Sequence, residues 1–153
     1  MNTFNPQFEK IGKILIHLDL ITDDVLNQAL EEQKLSGERI GEVLIKNGHI
    51  NEREFITALS KQLGHRMVDE EELMKAPKEV VKLIPPDFAQ ENSVLALASS
   101  DNTVVVAMED PEDLVTLDNV RKLTEMNPEV VIAGPSALEK AIKRLYGELK
   151  TSG

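Results

Sequence analysis

Cysteine is absent from the 153 residues, which excludes a disulfide framework, a thiol nucleophile and any thiolate metal site. Tryptophan is absent too, tyrosine occurs once (Tyr146), and aromatics make up only 3%. The core must then be aliphatic, and the stacking platforms of a single-strand nucleic-acid binder are missing. Excess positive charge is also lacking: 17 Lys and Arg stand against 27 Asp and Glu, a net of −10. Such a surface repels DNA, RNA and anionic lipid, yet leaves room for a small anion in a local basic pocket. No apolar run approaches the ~20 residues of a membrane span, and the opening MNTFNPQFEK carries no basic-apolar signal. These absences point to a cytoplasmic protein that is not membrane-embedded.

Converging reactive groups are equally scarce. His17, His49 and His65 share no ligand spacing. No GxxxxGK[ST], GxSxG or GxGxxG occurs. Asp23 and Asp24 read as acids at a helix start rather than a general acid–base pair. No catalytic residue, metal or cofactor is expected, and the chain does not read as an enzyme.

What is present is a repeat. Residues 10–33 (KIGKILIHLDLITDDVLNQALEEQ) and 39–62 (RIGEVLIKNGHINEREFITALSKQ) align with an offset of 29, and eight of 24 positions are identical. Each copy reads as helix, turn, helix. Ile11, Leu15 and Leu18 recur at helical spacing, Thr22 is placed as an N-cap, and Val25, Leu26, Ala29 and Leu30 share a face. In the second copy Gly48 closes one helix, Asn51-x-x-Glu54 resembles a capping box, and Phe55, Ile56 and Leu59 are apolar. Residues 1–64 are therefore expected to form a four-helix subdomain. Residues 65–92 read as a linker with short helices, at Lys78–Ile84 and Asp87–Gln90, and a short strand at Arg66–Val68. From Ser93 the period shortens. Strands are expected at Val94–Ala98, Thr103–Met108 and Glu129–Ala133. One helix opens at Asp110-Pro111 with Leu114, Leu117, Val120 and Leu123 buried, and another starts at Pro135. Residues 93–147 thus read as β-β-α-β-α, with a tail at 148–153, and the fold class is α+β.

Each copy begins cation–aliphatic–Gly (Lys10-Ile11-Gly12, Arg39-Ile40-Gly41) and ends in Gln (Gln33, Gln62). A cation and glycine at a helix start suit an anion, because glycine admits close backbone approach and free N–H groups favour phosphate. Arg also matches the guanine edge, and Leu26, Leu30, Phe55 and Leu59 offer an apolar wall. Two copies suit a ligand with two similar halves, such as a cyclic dinucleotide. The alternative is a duplication kept for packing in a protein-docking module.

On these residues the repeat resembles the tandem 24-residue motif of MshEN domains, the N-terminal domains of type II secretion and type IV pilus assembly ATPases. The five-residue spacer Lys34–Glu38, LIPPDFAQENSVLALA and VVVAMEDPEDLVTLDNV extend the likeness over about residues 8–147. The resemblance implies a regulatory domain in which each motif cradles one guanylate half of cyclic di-GMP. It nominates Lys10, Ile11, Gly12, Leu26, Leu30 and Gln33 in the first copy, and Arg39, Ile40, Gly41, Phe55, Leu59 and Gln62 in the second. It also implies an assembly ATPase domain as partner, in cis or in trans, and an inner-membrane platform protein, so that the domain would lie peripheral to that membrane. Departures from the family pattern are Lys10 for Arg, which loses the planar fork, Asp19 for the second Gly, His49 for an aliphatic, Phe55 for Leu, and Ile11 and Ile40 for Leu.

Overall fold

The computed structural model describes residues 6–151, with side chains from 11 to 149. The chain divides into two compact units, parted between Gly64 and His65.

The first unit is helical. It comprises α1 (Pro6–His17), α2 (Asp23–Ser36), α3 (Ile40–Lys46) and α4 (Glu52–Leu63). The caps follow from local chemistry. Thr22 Oγ1 accepts from the Val25 N–H, and Asn51 with Glu54 forms a reciprocal capping box. The α1–α2 and α3–α4 turns are the same turn twice. Leu18, Asp19 and Leu20 donate to Ile14, Ile16 and Leu15, and Asn47, Gly48 and His49 donate to Val43, Ile45 and Leu44. Both turns need a left-handed residue, Asp19 at φ 60° and Gly48 at φ 79°. Asp is one of the few side chains that visits this region, so the turn survives the loss of glycine. The copies interlock crosswise, with α1 on α4 and α2 on α3. Exchanging the copies maps one pair onto the other, which is the relation of an approximate two-fold. Leu15, Val43, Leu44, Phe55 and Leu59 form the buried interior.

The second unit is α+β. After α5 (Glu70–Met74), α6 (Lys78–Val81) and α7 (Pro86–Asn92) come β1 (Val94–Ser100), β2 (Thr103–Met108), α8 (Leu114–Thr124), β3 (Asn127–Ile132) and α9 (Pro135–Thr151). The sheet order is β1-β2-β3, with β1 antiparallel and β3 parallel to β2. Residues 66–68 add to the free edge of β3 through a Met67–Ile132 bridge.

Three expectations need correction. Residues 65–92 are not a linker: Leu73, Val80, Val81 and Ile84 are fully or nearly fully buried with Val94, Val106 and Leu138 in one core. Residues 148–151 are not a tail either, because α9 continues to Thr151; the rest of the expected tail lies outside the described residues. The helix expected at Asp110 starts three residues later. Asp110 spends a carboxylate oxygen on the Glu112 N–H, and Asp113 caps α8 by accepting from Thr116. Strict i+3 spacing drifts around a helix of 3.6 residues per turn, and Leu114 is 72% and Leu123 44% exposed, while Thr116 and Val120 are buried.

Candidate functional site

The nominated residues divide by burial. Ile11, Gly12 and Leu26, and in the second copy Ile40, Gly41, Phe55 and Leu59, lie inside the first unit. Leu30, Gln33 and Arg39 are half-buried and Gln62 is exposed. Lys10 belongs to α1, but its side chain lies outside the described residues. The accessible motif residues are thus mainly polar, and most of the apolar motif positions are the unit's own core. Leu30 and its counterpart Leu59 differ here: the first keeps a surface, the second keeps none.

The motif glycines are occupied rather than open. A Cβ on Gly12 would stand 2.5 Å from Leu26 Cδ1, and one on Gly41 would stand 2.4 Å from Phe55 Cζ. In each copy the glycine lets the partner helix's large side chain lie directly on the backbone. The expected close approach exists, and a protein side chain makes it.

The helix-start expectation holds in one copy only. Arg39 is the N-cap of α3 in extended conformation, with its own N–H donated to Glu42 Oε1 at 2.9 Å. Ile40 and Gly41 therefore occupy the first turn, where N–H groups lack intrahelical acceptors. In the first copy the helix begins at Pro6, so Lys10 and Gly12 sit in mid-helix.

The junction between the copies is closely defined. Gly37 caps α2 in the left-handed region (φ 76°) and donates to the Gln33 carbonyl at 2.8 Å. Lys46 Nζ pairs with Glu32 Oε2 at 3.0 Å and with Glu38 Oε1 at 2.6 Å. Asn47 Nδ2 donates to Glu32 Oε1 at 2.8 Å. The Asn47 hydrogen bond, then the Lys46 bond, holds the Glu32 carboxyl below the usual range. The bonds to Glu38 and Glu32 push the Lys46 ammonium up. Residue reading by motif missed this cluster, because Glu32, Lys46 and Asn47 fall on variable positions of the repeat and Glu38 lies in the spacer. Two acids paired to one cation across a helix junction was the available signal.

Among the described residues no cluster of three or more His, Asp or Glu is placed to hold a metal ion. No described helix is long and apolar enough to cross a membrane.

Comparison with known proteins agrees with this architecture. The chain is 33% identical over 139 residues to the type IV pilus assembly ATPase PilB of Myxococcus xanthus, covering 91% of the chain and 24% of the relative. It is 31% identical over 183 aligned positions to PilB of Thermus thermophilus, covering 96% and 20%. The chain therefore spans only about a quarter or less of these curated relatives. A solved structure of MshE with cyclic di-GMP superposes with a TM-score of 0.68 at 28% identity, covering 89% of this chain and 98% of that one. The N-terminal domain of XpsE gives 0.73 at 19% identity over 94% and 98%, a likeness of fold. A model of the MshEN domain matches residues 63–152, the second unit, and starts where the second motif copy ends. With more than half of its residues matched in this way, the chain belongs to the MshEN domain family.

Proposed function

We propose that the chain is a cyclic di-GMP-binding regulatory domain of a pilus or secretion assembly ATPase, with no catalysis of its own. The observation that carries this reading is the crosswise pairing of the two copies, α1 on α4 and α2 on α3. A protein surface with approximate two-fold symmetry matches a ligand with two-fold symmetry, and a cyclic dinucleotide of two guanylates has it. Arg39 supplies the planar fork that reads guanine O6 and N7. Gln33 and Gln62 stand at equivalent helix ends and offer amides to a base edge, and Leu30 offers a half-buried apolar wall. The buried motif residues (Ile11, Gly12, Leu26, Ile40, Gly41, Phe55, Leu59) shape this surface from behind. The likeness to MshE with cyclic di-GMP, over 89% of the chain, supports the same ligand.

Regulation follows from linkage. A ligand that bridges both copies favours the arrangement in which the copies are held together, and biases whatever the domain contacts by its differential affinity. The partners on this reading are an assembly ATPase domain, in cis or in trans, and an inner-membrane platform protein, which would hold the domain at the membrane periphery on the cytoplasmic side. A docking module without nucleotide is the second reading. The exposed Leu114 and Val115 on α8 favour it, since adjacent apolar side chains in water mark contact surfaces.

Calorimetric titration with cyclic di-GMP, beside cyclic di-AMP and GTP, tests the proposal. Saturable micromolar or tighter binding to cyclic di-GMP alone is expected. Silence with all three ligands would favour the docking module.

A further inference from the structure

We infer that Lys46 is a positioning residue of this site: it sets the register between the two half-sites by tying together the chain neighbours of Gln33 and Arg39. The inference rests on the proposed ligand. Glu32 precedes Gln33, the last motif residue of the first copy, and Glu38 precedes Arg39, the first of the second copy. The Lys46 ammonium grips both carboxylates, at 3.0 Å and 2.6 Å, and Asn47 takes the remaining Glu32 oxygen at 2.8 Å. The spacer is bracketed from inside as well. The Gly37 N–H donates to Gln33 O, the Glu38 N–H to Ser36 Oγ at 3.2 Å, and the Arg39 N–H to Glu42 Oε1. Every residue from 36 to 39 is thereby engaged, and Lys46 reaches the segment from the far end of α3.

The repeat shows that the Glu32 arm of this cluster is particular to one junction. Positions 29 before Lys46 and Asn47 hold His17 and Leu18, and the position 29 after Glu32 holds Lys61. A leucine has no side-chain donor and Lys61 has no carboxylate, so the Glu32 bonds to Lys46 and Asn47 have no copy at the α1–α4 junction; the counterpart of Glu38 is Glu9, whose side chain lies outside the described residues. The Glu32 bonds sit beside the spacer, next to the copy that keeps Arg at its head. Its side chains are half exposed (50% for Lys46, 36% each for Glu32 and Glu38). Exposed pairs add little to folding stability, which leaves orientation as what the cluster does.

The test titrates the full chain, Lys46→Met, Lys46→Arg and the control Lys34→Met, with cyclic di-GMP and with linear diguanylate. Lys34 pairs only with Glu31 of its own helix among the ion pairs described, at 3.3 Å. A rigid cyclic ligand needs both half-sites in register, whereas a linear one adapts. Lys46→Met is expected to lose roughly fivefold to tenfold in affinity for the cyclic ligand and less than twofold for the linear one. Lys46→Arg restores the cyclic affinity, Lys34→Met changes neither, and the urea midpoint of Lys46→Met stays near that of the parent. Parent binding with an unchanged Lys46→Met affinity overturns the positioning role and leaves the ligand standing. Equal losses for cyclic and linear ligands reduce Lys46 to a structural residue and overturn it too. Silence of the parent chain with the cyclic ligand overturns both readings together.

Discussion

Gly41→Ala asks whether the motif glycine is held by packing or kept clear for a ligand. A Cβ at Gly41 meets three atoms of the Phe55 ring, at 2.4, 2.7 and 2.9 Å. The ring is 1% exposed and moves only as a plate, so it has no room to yield. Overpacking of a close-packed interior costs about 1–3 kcal/mol, and Ala in place of helical Gly returns at most about 1 kcal/mol. The net expectation is a destabilisation of about 1–2 kcal/mol. Gly12→Ala should cost less than about 1 kcal/mol, because its two nearest neighbours are the methyl tips of Leu26 at 2.5 and 2.7 Å, on a flexible side chain. Phe55→Leu in the Gly41→Ala background removes the ring and should recover part of the loss, giving a coupling energy near 1 kcal/mol. Urea unfolding followed by circular dichroism of Gly41→Ala, Gly12→Ala, Phe55→Leu and the Gly41→Ala/Phe55→Leu double variant measures all of these. A Gly41→Ala stability within about 0.5 kcal/mol of the parent, with no coupling to Phe55, would refute packing as the glycine's role.

Other expectations concern turns, the phenol and the cations. Asp19→Gly should stabilise by up to about 1 kcal/mol and Gly48→Ala should destabilise by a similar amount. Both positions are left-handed (φ 60° and 79°), and nothing lies within 4 Å of a Cβ at Gly48; unfolding midpoints that do not move would rule out backbone strain as the cause. Burial pushes the Tyr146 phenol from 10.0 up to about 12. The unfolded chain releases this proton first, so Tyr146 contributes stability that is intact below pH 10 and lost as pH rises towards 12. Because Tyr146 is the sole tyrosine, tyrosinate absorbance reads it directly, and ionisation near pH 10 in the folded chain would contradict its burial. Arg39→Ala should weaken cyclic di-GMP binding more than Lys10→Ala, since only Arg39 carries the fork, and Lys10→Arg with Asp19→Gly should strengthen it. Calorimetry showing equal losses, or no gain from the double change, would remove the asymmetry between the copies.

Local signals carried much of the architecture. Thr22 and Asn51 cap the helices they announce, because a cap is decided by a side chain and backbone three residues on. The β-β-α-β-α order, the shared 29-residue offset and the likeness to MshEN domains were all legible, since periodicity and turn chemistry are written within a few residues. The register of α8 was not. Asp110 and Asp113 are both fit to start a helix, and only the turn at Asp110 and the cap at Thr116 separate them. Of the candidate site, Arg39, Gln33 and Gln62 stand out in the sequence as polar residues in a repeat of aliphatics.

By itself the sequence determined an aliphatic, cysteine-free, acidic chain with two copies of one helical hairpin and an α+β second half, because these depend on composition and short-range pattern. Tertiary structure decided which motif residues face water. Leu26 and Phe55 look like a ligand wall in sequence, yet each is spent on a glycine of its own copy, since the glycine's missing Cβ leaves a hollow that only a neighbouring helix can fill. It also decided that 65–92 packs into the core of the second unit, because Leu73, Val81 and Ile84 are buried with apolar residues more than ten positions away. And it brought Lys46 to Glu32 and Glu38, a meeting that requires α3 to fold back along α2 and so lies beyond any local rule.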